Sequence, residues 1–86
     1  MDRVVNQILN ALRHADRYGF QIIRAIGTDA FPQGEGHLYP MLCRMEDVGD
    51  IQGEWRMDER RRWRRFYTLT RQGRRTLDKV AGVVIR

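Results

Sequence analysis

Five arginines fall within six consecutive positions: Arg60, Arg61, Arg62, Arg64 and Arg65, interrupted by Trp63. The guanidinium group is planar, permanently charged and able to present parallel N–H donors to phosphate oxygens. Like charges packed this densely repel one another, and only Asp58 and Glu59 lie close enough in sequence to offset them. The bland reading is a solvated charged turn. The clustering favours a polyanion, because a mobile arginine tip neutralises phosphate and can enter a minor groove.

A second chemical set lies upstream in "GHLYPMLCR", residues 36–44. His37 can donate to a guanine acceptor or a phosphate. Tyr39 can donate to a phosphate or base edge and lay its ring on a sugar. Arg44 can pair with guanine or phosphate. Each has a structural alternative. Arg44 could pair locally with Glu46 or Glu54, and Tyr39 could pack against the wing formed by the strands that follow. Pro40 stands in the same stretch. Proline is accepted in the first turn of a helix, where backbone donors lack partners. It therefore places the start of a helix near Gly36 or His37 and puts His37, Tyr39 and Pro40 at its leading end.

Enzymatic chemistry has no comparable set. His14, His37 and Cys43 have no paired metal-ligand spacing, so no metal site or cofactor is expected. Cys43, next to Arg44, could sense oxidants through a lowered pKa, but a lone cysteine is most often a small apolar residue. No phosphate loop or nucleophile–base pair is present.

Charge is distributed unevenly along the 86 residues, whose net charge is +5. Residues 1–43 carry four arginines and four acids, whereas residues 44–86 carry eleven arginines and one lysine against seven acids. A basic half beside a neutral half points to nucleic acid first and an acidic membrane surface second. The length fits one domain over residues 1–86. The single cysteine allows no intrachain disulfide and agrees with a cytoplasmic location. No apolar run approaches a membrane span, and the N-terminus does not read as a signal peptide.

The elements that must position these residues follow from periodicity. Val5, Ile8, Leu9 and Leu12 share one helical face within residues 2–14, with Asp2 at the N-terminus. Asp16 offers the cap of a second helix carrying Ile22, Ile23 and Ile26, which Gly27 ends. Gly19 in its first turn permits close helix approach. Phe31 plugs the core from the loop at 27–36. Leu38, Leu42 and Met45 mark the buried face of helix three, over about 36–48, and Gly49 stops it. The period then drops to two. Ile51, Gly53 and Trp55 alternate with polar residues, "MDERRR" turns the chain, and "WRRFYTLT" returns, with Tyr67 and Leu69 inward. Trp55 is expected in the wing core, with Trp63 either opposite it or exposed. Thr70 caps a last helix with Gly73, Leu77, Val80 and Val84 on its stripe. The fold class is mainly α with a small β component. It reads as a winged helix-turn-helix of three helices, a two-stranded wing and a C-terminal helix.

These residues also resemble a known family. Gly36, Leu38-Tyr39-Pro40, Leu42, Arg44-Met45-Glu46 and Gly49 follow the pattern of PadR regulators of bacterial transcription. Arg65-Phe66-Tyr67, Leu69-Thr70 and Gly73 follow that family's strand signature, and Tyr18-Gly19 its habitual pair. The resemblance spans roughly residues 5–80. It implies a dimeric, cytoplasmic repressor that binds double-stranded DNA at a palindromic operator. His37 stands where the family usually has Ser or Thr. Apolar residues beyond the needs of one small core, Val5, Leu9, Leu77, Val80 and Val84, are candidates for the homodimer interface. No residue supports a small-molecule inducer. The rival function is a winged-helix protein-interaction module without operator binding; a weaker one is an architectural DNA binder.

Overall fold

Among the described residues thirteen buried apolar side chains form one core, and most come from the expected helical and strand faces. The computed structural model describes residues 3–32 and 34–85, with side chains through Lys79. Asp2, expected to favour the first helix, lies outside the described residues. Helix α1 spans Arg3–His14 and buries Ile8, Leu9, Ala11 and Leu12. A two-residue strand β1, Arg17–Tyr18, leads into α2, Gly19–Ile26, which buries Ile22 and Ile23. A short 3-10 turn, Thr28–Ala30, brings Phe31 into the core at 4% exposure. Helix α3, Glu35–Asp47, buries Leu38, Leu42 and Met45. Strands β2, Ile51–Met57, and β3, Trp63–Leu69, form the hairpin, and α4 covers Arg71–Ile85.

The sheet differs from the expected two-stranded wing. It has three antiparallel strands in the order β1-β3-β2. Arg17 pairs with Tyr67 and Tyr18 with Phe66. The Tyr18 ring meets Phe66 edge-on at 5.2 Å, a favoured aromatic geometry that helps hold the short strand. This strand displaces the expected helix cap. Tyr18 precedes α2, and its N–H donates to Gln21 Oε1 at 3.1 Å. Asp16 instead accepts from Arg56 of the hairpin at 2.9 Å.

The helix stops behave as glycine chemistry requires. Gly49 has φ 93° after α3. Its N–H donates to the Glu46 carbonyl and that of Asp50 to the Met45 carbonyl, both at 3.0 Å, the paired bonds of a Schellman motif. Thr70 caps α4 as expected. Its hydroxyl accepts from Gly73 N–H at 2.9 Å and donates to the Gly49 carbonyl at 2.6 Å. Thr70→Ala is therefore expected to lower unfolding free energy by about 1–2 kcal/mol. Equilibrium urea unfolding checks it, and an unchanged midpoint would show that water replaces both bonds.

Two members of the expected dimer face are core residues. Leu9 is 0% exposed and Leu77 7%, because α1 and α4 pack on each other within one chain. Val5 is half-buried against the core. The side chains of Val80 and Val84 lie outside the described residues. Trp55 is also placed differently: it is 62% exposed. The proximal half of the hairpin, at Ile51, Tyr67 and Leu69, meets the core, whereas its distal half has no apposed layer.

Candidate nucleic-acid interface

Helix α3 begins at Glu35, after Gly34 at φ 73°. Pro40 is consequently its sixth residue and lies in the second turn, not the first. Having no N–H, Pro40 cannot donate to the Gly36 carbonyl one turn back. The helix thus starts one residue before Gly36, the earlier of the two expected starts. His37, Pro40, Cys43, Arg44 and Asp47 are exposed, opposite the buried Leu38, Leu42 and Met45.

Tyr39 leans to one flank and is 42% exposed. Its hydroxyl donates to Glu35 Oε2 at 2.9 Å. Partial burial pushes its pKa up to about 12, and the bond to Glu35 acts in the same direction. At neutral pH it is therefore a hydrogen-bond donor. Its packing neighbour is the start of α2. A Cβ on Gly19 would lie 3.1 Å from the Tyr39 hydroxyl and 3.4 Å from Leu38, which gives physical content to the close helix approach expected there.

Arg44 has neither of the local partners considered for it. Glu46 accepts from Arg65 at 3.0 Å and from the Gly53 N–H at 3.1 Å, and Glu54 accepts from Arg56 at 2.8 Å. Glu46 thus ties α3 to both strands of the wing. Gly53 makes this possible: a Cβ there would fall within 2.7 Å of the Arg65 guanidinium carbon. Glu46→Ala should lower stability by about 1–2 kcal/mol, since both bonds are partly shielded from water. Thermal unfolding checks it. No loss would mean that the wing keeps its angle without this tie.

The five clustered arginines separate into two groups. Arg60, Arg61 and Arg62 are exposed at the hairpin tip. Among the described residues no carboxylate pairs with their guanidinium groups. Arg64 and Arg65 point to opposite faces of β3, as the two-residue period demands. Arg64 donates to Asp58 at 3.2 Å and stacks 5.0 Å from the centre of the Tyr18 ring. Arg65 holds Glu46.

Asp58 organises the tip, a role that "MDERRR" did not disclose. Its Oδ1 accepts the N–H groups of Arg60 at 2.8 Å and Arg62 at 2.9 Å. The N–H bond from Arg62 is the main reason its carboxyl is held below the ordinary range, with Arg64 adding to it. Arg61 takes φ 62°, a left-handed position that few non-glycine residues adopt. The available signal was an acid two and four residues before donors that needed closing into a turn.

Arg24 was also missed. A cleft of about 550 Å³ opens between the tip, the start of α2 and Glu35. Arg24 lines it with Arg60, Arg62 and Arg64, facing Glu35, Asp58 and Glu59. As the lone arginine of α2, it was visible in sequence but had no recognisable partner. Among the described residues no group of three His, Cys, Asp or Glu could hold a metal ion. No helix among them is long and apolar enough to cross a membrane.

The same fold recurs in solved structures. A PadR-like transcriptional regulator from Bacillus cereus superimposes with a TM-score of 0.82 at 23% identity, over 93% of this chain and 79% of that one. A PadR family regulator from Clostridium difficile gives 0.79 at 24%, over 94% and 85%. Bacillus subtilis PadR in complex with operator DNA gives 0.74 at 24%, over 94% of this chain but 47% of that one. Among curated protein sequences none matches. The family model for PadR-like transcriptional regulators covers residues 8–79, from the core face of α1 through the wing and into α4. That span takes in α3, its Glu46 tie and the arginine tip together, and the chain accordingly belongs to the PadR-like family of transcriptional regulators.

Proposed function

We propose that residues 1–86 work as one DNA-binding unit, a sequence-specific transcriptional repressor that acts as a homodimer on an inverted repeat. The observation that carries this reading is the exposed arginine tip, free of carboxylate partners, on a wing tied to the outward end of α3. His37, Tyr39, Pro40 and Arg44 read the major groove. Arg60, Arg61 and Arg62 take the flanking backbone or minor groove, while Arg64 and Arg65 hold the wing in place and add field. The operator-bound relative from Bacillus subtilis supports the same use of this fold. A two-fold dimer sets its reading helices about 34 Å apart, one turn of duplex. Val5, with Val80 and Val84, supplies its contact. Repression of this kind takes place in the cytoplasm, requires no cofactor and involves no catalysis.

Selection of bound sequences from a random duplex pool at near-physiological salt tests the reading. Enrichment of an inverted repeat supports a dimeric reader. Enrichment of nothing, together with salt-sensitive capture by an acidic protein, would replace it with the interaction-module reading. Tyr39→Phe should weaken the selected duplex about tenfold and random duplex much less, because the hydroxyl that Glu35 holds in the free protein is lost as a donor to DNA. Equal losses on both would remove Tyr39 from specific recognition.

A further inference from the structure

Both tryptophans of the chain lie in water on the wing. Trp55 is 62% exposed and Trp63 64%, and Met57 is 50% exposed. The strand register puts all three on one face of the hairpin, where Met57 pairs with Trp63 and Trp55 with Arg65. This face is turned toward α3, since Arg65 on it reaches Glu46. It is also the face whose proximal half, at Ile51, Tyr67 and Leu69, enters the core. On the opposite face Phe66 is half-buried, edge-on to Tyr18 of the adjoining strand, with Arg56 5.5 Å over its ring. An uncovered cluster of large apolar side chains marks a binding surface more often than a packing error.

Its surroundings select the occupant. Arg65 lies 5.9 Å from the Trp55 ring, and the three tip arginines follow directly before Trp63 in the chain. Arg65 stands on this face, and the tip arginines border its distal end, so the apolar cluster has a cationic rim. A duplex backbone offers the complement, apolar deoxyribose between anionic phosphates. A second copy of this chain would bring its own arginines against this cationic rim. We propose that Trp55, Met57 and Trp63 form an apolar platform that packs on the deoxyribose edges of duplex DNA beside the groove read by α3. The neighbouring arginines take the intervening phosphates. The platform orients the wing on the backbone and adds contact area that salt does not screen. This inference rests on the DNA-binding reading above.

The two tryptophans report their own fate. Trp55→Phe leaves Trp63 as the sole tryptophan, and Trp63→Phe leaves Trp55, each excited at the red edge where tyrosine does not absorb. Each single-tryptophan protein is titrated with the selected duplex while a mobility shift records binding. The expected result is a change in emission and a loss of acrylamide quenching for both, saturating with the shifted band. Trp55→Ala and Trp63→Ala should each weaken binding about tenfold or more, with the salt slope retained. Their thermal unfolding should stay near the parent's, as both side chains are exposed. A shifted band with unchanged emission and quenching in both proteins overturns the platform and leaves DNA binding standing. A blue shift that grows with protein concentration in the absence of DNA overturns it in favour of self-association. No shifted band with any duplex removes the DNA-binding reading itself, and the platform with it.

Discussion

Gly73→Ala is expected to unfold in urea with about 2–4 kcal/mol less stability than the parent chain. The helix-propensity scale alone gives the opposite sign, since alanine exceeds glycine by about 1 kcal/mol inside a helix. Packing decides against it. A Cβ at position 73 would overlap the Asp50 carbonyl oxygen and approach Leu69 Cδ1 to 2.8 Å. Neither neighbour can move cheaply. The Asp50 carbonyl accepts from Thr70 N–H at 3.1 Å, and Asp50 Oδ1 from Gln72 and Thr76, each at 3.1 Å. Leu69 is buried. The alanine therefore pushes α4 off the junction of α3 and β2. Gly36→Ala is the matched control: no atom lies within 4 Å of its added Cβ. That variant should gain up to about 1 kcal/mol. A Gly73→Ala chain as stable as the parent would show that α4 slides freely over Asp50.

Replacing Arg60, Arg61 and Arg62 together by alanine should weaken duplex binding on the order of a hundredfold near 0.1 M salt. If all three neutralise phosphates, the log–log salt slope should fall by about 2.7, at about 0.9 per phosphate. The loss should be similar on selected and random duplex, because phosphate contacts position the protein and carry no sequence information directly. Stability should change little: the three side chains are exposed, and the backbone bonds from Arg60 and Arg62 to Asp58 do not depend on them. Arg65→Ala is the contrast. It removes the partner of Glu46 and should lower stability as well as affinity. Mobility shifts over a salt series check both. Unchanged affinity and slope in the triple variant would sink the role given to the tip.

Much of this molecule was legible in order. The stripe of Leu38, Leu42 and Met45, the stop at Gly49, the cap at Thr70 and the inward Tyr67 and Leu69 all stand as periodicity and capping chemistry require. Such features depend on neighbours within about one helical turn or one strand pair, so local spacing suffices to reveal them. Strand β1 was not legible, because two residues carry no period and the strand exists through pairing with Tyr67 and Phe66, far along the chain. Pro40 was located by a rule for first turns, but Gly34 starts the helix one residue earlier than expected.

The candidate interface divides in the same way. That an amphipathic helix precedes an arginine-rich hairpin was readable from the chain, since charge, period and turn chemistry are written along it. Which arginines remain available follows from the packing of the elements on one another. Arg64 and Arg65 find Asp58 and Glu46, while the guanidinium groups of Arg60, Arg61 and Arg62 pair with no carboxylate among the described residues. That packing likewise sent Leu9 and Leu77 into the core and left Trp55 in water. An ion pair or a buried face requires two elements brought together from distant parts of the chain. That pairing is a property of the packed fold and has no period from which it could be read.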